Sequence, residues 1–188
     1  NHKPSFVACG EGDDALENLV SSLSSKEKTE FANAVCGVIS VSSENKRKCI
    51  VYELAKEHDI IVLPNSVDTS IFVKDDARDI RKELGVLPND FLISFTGAFI
   101  HRKGSARLSA AIDKLNDSRI KSIFIGAPLD GDNSTPTCEG IVHKGRLEHD
   151  DIPQYLYASD CFCLPTLNEG CSNAIVEAVA AGLPIISS

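Results

Sequence analysis

From Asn33 to the last residue, short apolar strings alternate with stretches that carry helix grammar, and this alternation limits the chain to very few folds. The strings are "NAVCGVISVS" (Asn33–Ser42), "DIIVLP" (Asp59–Pro64), "FLISFTG" (Phe91–Gly97), "SIFIGA" (Ser122–Ala127), "GIVHKG" (Gly140–Gly145), "DCFCLP" and "LPIIS". Each is short and rich in β-branched or aromatic residues, as fits a strand buried on both faces. Between them lie predicted helices: one from the polar "SSENKRK" to about Glu57 with Ile50, Val51 and Leu54 inward, and "DDARDIRKELG" with acids first and Gly85 as its stop. A third runs from Ser105 to Leu115 with Leu108, Ala111, Ile112 and Leu115 on one face, and a fourth is capped by Asp151, with Pro153 and Gln154 in its first turn. Strands and helices alternating in this way predict an α/β fold with a Rossmann-like, parallel, doubly wound sheet. Such sheets bind ligands at the carboxyl ends of their strands, where several of these strings close on glycine.

Pro64, Asn65, Ser66 and Asp68 break the pattern and read as a hinge, which divides the chain into residues 1–66 and 67–188. A chain of 188 residues can bury one good core, or one core and part of another. In the first 34 residues "DDALENLVSSLSSKEKTEF" predicts helix, and "GEG" at Gly10–Gly12 reads as a plain turn, since it lacks the full glycine fingerprint of a phosphate loop.

A formal net charge of −8 argues against a broad nucleic-acid surface, so no nucleic-acid partner is expected. No run approaches the roughly 20 apolar residues that span a bilayer, and the first residues lack signal-peptide architecture; the expected location is the cytosol, or the inner face of a membrane as a peripheral protein. Seven cysteines, mostly inside apolar strings, predict reduced and buried thiols. Cys161 and Cys163 share one side of a strand but have no second pair or histidine couple, so no metal site is expected. The absence of methionine suggests either an interior piece of a longer chain or a chain that lacks some of its residues.

The chemistry gathers at two places on the predicted carboxyl edge. In "TGAFIHRKG" the strand-ending Gly97 is followed by Arg102, Lys103 and a helix start, so two cations and a helix dipole together form an anion site that a pyrophosphate would fit. Taken alone, the same two cations also read as solvated loop charges. In "NEGCSNAIVEAVAAGLPII" a helix beginning at Cys171 or Ser172 would leave the N–H groups of Cys171, Ser172 and Asn173 free for an anion, with Gly170 permitting close approach. Glu169 precedes that turn and Glu177 follows eight positions later, about 80° and ~12 Å away on an ideal helix. One carboxylate therefore cannot substitute for the other, though each alone also reads as a solvated acid. His101 adjoins the cations and reads as a loop residue, and no G-x-S-x-G elbow supports a Ser-His-Asp hydrolase.

Four blocks in register, "VLPNSVDTSIF", "LISFTGAFIHRKG", "HKGRLEHDDIPQYLYASDCFCLPTLNEG" and "EGCSNAIVEAVAAGLPIISS", resemble glycosyltransferase family 4, the retaining group 1 glycosyltransferases of the GT-B fold. The resemblance runs from about Asn33 to the end and implies the trailing part of an acceptor domain with its hinge (1–66), then a nucleotide-sugar-binding domain cut short at its end (67–188). It implies that Glu169, with Gly170, meets the donor sugar and that Glu177 meets the ribose. It further implies that Lys103 neutralises the donor diphosphate beside Gly97, Arg102, Cys171, Ser172 and Asn173, and that Lys144, Gly145, Arg146 and Leu147 lie beside the base. The implied activity is transfer of a sugar from a nucleotide diphosphate to an acceptor hydroxyl, with Glu169 and Lys103 at the catalytic centre and no metal or other cofactor. The implied acceptor is a saccharide or lipid-linked sugar in polysaccharide or glycolipid synthesis, and the piece alone is expected to be inactive. A sugar-nucleotide epimerase of the same architecture and a non-catalytic nucleotide-sugar-binding domain remain alternatives. One position departs from the family pattern: Ala98 stands where arginine commonly follows the strand-ending glycine, so Arg102 is the candidate to compensate.

Overall fold

The computed structural model of the chain describes residues 5–9, 13–76, 78–132 and 134–188. The "GEG" turn lies outside the described residues. The chain forms two compact units, one of Asn1–Ser66 with the loop Asn168–Ser172, the other of Val67–Leu167 with Asn173–Ser188.

In the first unit β1 (Phe6–Cys9), β2 (Gly37–Ser40) and β3 (Ile60–Val62) form a parallel sheet in that order. The helix expected before β2 is two helices, α1 (Asp13–Ser22) and α2 (Ser25–Ala34). A capping box divides them: Glu27 N–H donates to Ser24 Oγ at 3.3 Å while Ser24 N–H donates to the Glu27 carboxylate at 2.8 Å. Because α2 runs on to Ala34, the strand expected from Asn33 starts only at Gly37.

Helix α3 (Ser43–Val51) ends before the expected Glu57. Glu53 N–H reaches Ile50 O and Leu54 N–H reaches Cys49 O, both at 3.0 Å, the paired bonds of a Schellman end, with Glu53 itself at φ 58°. The helix turns Asn45 and Cys49 inward, and Cys49 packs with Val38 and Ile60. Leu54 is buried as expected, but Ile50 and Val51 are 36% and 60% exposed, since the inward row of this short helix runs through positions 45 and 49.

The second unit contains α4 (Ile80–Glu83), β4 (Phe91–Thr96), α5 (Ser105–Leu115), β5 (Ile120–Ile125), β6 (Ile141–Gly145), α6 (Ile152–Ala158), β7 (Cys161–Leu164), α7 (Asn173–Ala180) and β8 (Ile185–Ser187). Its five strands are all parallel, in the order β6-β5-β4-β7-β8. The earliest strand therefore lies at the centre and the winding reverses between β4 and β7, which is where a sheet of this kind opens a crevice at its carboxyl edge.

The helix expected over "DDARDIRKELG" is a single turn that starts from Asp79, whose side chain accepts from Lys82 N–H at 3.1 Å. The residues before it are strapped to α6 instead. Asp75 N–H donates to Gln154 Oε1 at 3.0 Å, Gln154 Nε2 donates to Val73 O at 2.8 Å, and Arg78 Nη1 donates to Asp151 Oδ1 at 2.8 Å. Asp151 consequently makes no capping bond to α6, although Pro153 stands in the first turn as expected. On α5, Leu108 and Ile112 are buried, whereas Ala111 and Leu115 are exposed. Ser105 and Ser109 complete the buried face because they bond across to the β5–β6 connection: Ser105 Oγ donates to Ser134 O at 2.6 Å, and Ser109 Oγ accepts from Cys138 N–H at 2.8 Å.

Leu92, Phe95, Ile123, Phe124, Phe162 and Leu164 are wholly buried in the second unit's core. Phe95, Phe99 and Phe124 form a triangle of rings 5.7 to 6.5 Å apart, edge-on between Phe99 and Phe124. Among the described residues four cysteines are buried, but Cys36 is exposed, because it lies in the turn between α2 and β2.

Candidate functional site

The carboxyl edge of the second sheet is built around glycine. Gly97, Gly126 and Gly145 end or follow neighbouring strands and sit side by side: Gly97 N–H donates to Ile125 O and Gly126 N–H to Gly145 O, both at 2.9 Å. Gly126, at φ 150°, could not be another residue, since a Cβ there would stand 1.9 Å from Gly97 O. Above this row the β4–α5 loop leaves the sheet, and Phe99 pins it down. Phe99 is 2% exposed, and its N–H donates to Ala127 O at 2.8 Å.

The loop is then held from two sides. On the β5 side, Asp132 accepts His101 N–H at 2.8 Å and Ser134 N–H at 3.0 Å. The Ser134 hydroxyl and the His101 N–H together keep the Asp132 carboxyl below its ordinary range. On the β7 side, the Arg102 carbonyl accepts Leu167 N–H at 2.9 Å, Thr166 Oγ1 at 3.2 Å and Arg107 Nη2 at 3.2 Å. Gly104, at φ 82°, lies so close to this junction that a Cβ would stand 2.2 Å from Pro165 O. Arg102 and Lys103 are each half-buried rather than fully solvated loop charges. A cationic loop rigidly set at the winding reversal, with α5 starting directly behind it, is an arrangement suited to a polyanion.

Helix α7 begins at Asn173, with the buried Ser172 immediately before it. Only Asn173 to Glu177 lies on the helix, so the offset between the two glutamates is set largely by the loop rather than by helical rise. Glu169, Gly170 and Cys171 are half-buried members of the loop Asn168–Ser172, which groups with the first unit. There Asn65 Nδ2 donates to Cys171 O at 2.8 Å, so an expected hinge residue also fixes that loop. Glu177 is half-buried on α7, where burial pushes its carboxyl above the ordinary value and nearby His149 partly offsets the rise.

In the "HKGRL" segment, Gly145 and Leu147 are half-buried, and Lys144 and Arg146 are exposed. Lys144 Nζ donates to Pro136 O at 3.1 Å, so its ammonium fastens the β5–β6 connection. His143 packs its ring 5.2 Å from that of Tyr155. Burial pushes the Cys163 thiol up to about 11 and raises that of Cys161, which leaves both as neutral core groups. Among the described residues no three His, Cys, Asp or Glu side chains converge as a metal site, and no helix is long and apolar enough to cross a membrane.

The sequence reading missed Phe99, Arg107, Asp132 and Asn65 as organisers of these loops. A signal existed for Arg107 alone, four positions after Lys103 and so one helical turn from the loop.

A family model described as "Glycosyl transferases group 1" matches residues 90–188, the whole stretch from β4 to the end. The chain belongs to the group 1 glycosyltransferases. Among its relatives, the glycosyltransferase TuaC of Bacillus subtilis, named for teichuronic acid biosynthesis, is 35% identical over 131 residues, covering 68% of this chain and 33% of that protein. A second relative, the UDP-Gal:alpha-D-GlcNAc-diphosphoundecaprenol alpha-1,3-galactosyltransferase of Escherichia coli, is 31% identical over 170 residues, covering 84% of this chain and 43% of that protein. The chain thus spans less than half the length of these curated relatives. Its fold is that of the Anabaena protein HepE, solved in complex with UDP, with a TM-score of 0.79 and 19% identity over 98% of this chain and 53% of that one. As a group 1 glycosyltransferase the chain has the α/β, Rossmann-like architecture of the GT-B type expected from its sequence.

Proposed function

We propose that this chain binds a nucleotide-diphosphate sugar at the carboxyl edge of its second unit and serves a retaining glycosyltransferase as the donor-binding half, residues 67–188, with residues 1–66 belonging to an acceptor domain. The observation that carries the reading is the half-buried Arg102–Lys103 loop, locked between the β5 and β7 connections at the winding reversal of a group 1 glycosyltransferase sheet. HepE has been solved with UDP and with UDP-glucose, which supports a nucleotide sugar as the ligand class.

In this reading Lys103, the amide of Ser172 and the first amide of α7, at Asn173, offset the charge that develops on the departing diphosphate, so no metal is assigned. Arg102 supplies the guanidinium that Ala98 cannot. Glu177 receives the ribose hydroxyls, and Gly145 to Leu147 border the base. Glu169, in its glycine-containing loop, receives hydroxyls of the donor sugar. Transfer leaves the configuration at the anomeric carbon retained. The Escherichia coli relative is named for a diphosphoundecaprenol-linked acceptor, and a saccharide or lipid-linked sugar is the acceptor class proposed here, met in the cytosol or at the inner face of a membrane.

Calorimetric titration with UDP, GDP and ADP tests the reading. One nucleotide is expected to saturate the chain, with affinity lowered at least tenfold by Lys103→Ala and by Glu177→Ala. A folded chain that binds none of the three contradicts it.

A further inference from the structure

Arg107 is half-buried one turn into α5, behind the cationic loop rather than in it. Its guanidinium donates twice to the carbonyl of Pro165, from Nη2 at 2.8 Å and Nε at 3.3 Å, and once to the carbonyl of Arg102, from Nη2 at 3.2 Å. Pro165 directly follows β7 and Arg102 directly precedes Lys103, so one side chain ties the exits of the two central strands on either side of the winding reversal.

The neighbouring backbone makes this tie demanding. Gly104 lies against Pro165 O so closely that no side chain fits, and the space beside it is filled by the Arg107 guanidinium, 2.8 Å from where a Cβ would stand. The Arg102 carbonyl gathers three donors in all, from Leu167, Thr166 and Arg107. Hydrogen bonds from a charged donor to part-buried carbonyls such as these are strong and directional, and a planar guanidinium can reach two carbonyls in a fixed geometry that an ammonium cannot reproduce.

We infer that Arg107 is a positioning residue for diphosphate recognition: it holds the Arg102–Lys103 loop in register with the β7 exit, so that Lys103 stands where the anion binds. The inference rests on the nucleotide-sugar reading above. Arg107 itself needs no contact with ligand, because it acts through the backbone of its neighbours.

The test compares the chain with Arg107→Ala, Arg107→Lys and Lys103→Ala, titrating UDP, GDP and ADP and then uridine, guanosine and adenosine. The expected result is a loss of at least tenfold in diphosphate affinity for Arg107→Ala, with Arg107→Lys intermediate and the affinity for the matching nucleoside unchanged. A merely structural role would weaken nucleoside and diphosphate alike, and that outcome overturns the inference. So does diphosphate binding equal to the parent chain in Arg107→Ala while Lys103→Ala is impaired, a result that leaves the donor-site reading standing. Absence of diphosphate binding by the parent chain removes both. Should Arg107→Ala fail to fold, Arg107→Lys carries the comparison, and equal diphosphate binding by that variant and the parent overturns the requirement for a planar guanidinium.

Discussion

At the scale of single residues, the group with the clearest tension is Glu177. Burial raises its carboxyl above 4.5, so the folded chain holds that proton more tightly than the unfolded chain does. Its contribution to stability is fully present below the ordinary carboxylate value and is lost as the pH rises through the raised folded one. Glu177→Gln is therefore expected to raise the ligand-free melting midpoint at neutral pH, with the two proteins converging as the pH falls below 4.5, while nucleotide affinity drops. Thermal melts over a pH series check the first part, and titration checks the second. A midpoint unchanged or lowered at neutral pH would mean that Glu177 is not strained by its burial. A carboxyl group destabilised by its own burial in this way fits a pattern common among binding groups.

At the scale of elements, two ends of structure carry the argument. Helix α3 closes with Glu53 in the left-handed position that glycine normally takes. Glu53→Gly is expected to stabilise the chain by about 1 kcal/mol, read as a higher urea midpoint. The loop after β4 is anchored by one buried ring, and Phe99→Ala is expected to cost about 3 to 5 kcal/mol by emptying its place against Phe95 and Phe124. Urea unfolding with an unchanged slope would register it. These two ends also mark where sequence reasoning succeeded and failed. The strands from β2 onward were legible because buried parallel strands are apolar throughout, with Gly97 closing β4 visibly, whereas β1 (Phe6–Cys9) was not anticipated. The end of α3 was not, because glutamate gives no sign that it will adopt a positive φ. The length of α4 and the cap of α6 misled for a related reason: local sequence gives no sign of distant partners, and Asp151, which looks like a cap, is claimed by Arg78. The same holds at the site. Its charged residues stood out at Arg102, Lys103, Glu169 and Glu177, whereas the carbonyls and ring that position them depend on contacts between segments 30 to 60 residues apart, such as Asp132 with His101 and Arg107 with Pro165.

At the scale of the whole molecule, five parallel strands with their reversal between β4 and β7 bring two loops together that are more than 60 residues apart in sequence, Arg102 against Thr166 and Leu167. Everything proposed about donor binding follows from that topology and from the family to which the chain belongs. The most direct measurement is backbone amide hydrogen exchange on the chain, alone and saturated with whichever of UDP, GDP or ADP binds. The account predicts slowed exchange at residues 97–104 and at the first turn of α7, Asn173 to Val176, with the amides of the first unit's β1–β3 sheet unchanged. Protection confined to that sheet, or absent from both the β4–α5 loop and the start of α7, would contradict it.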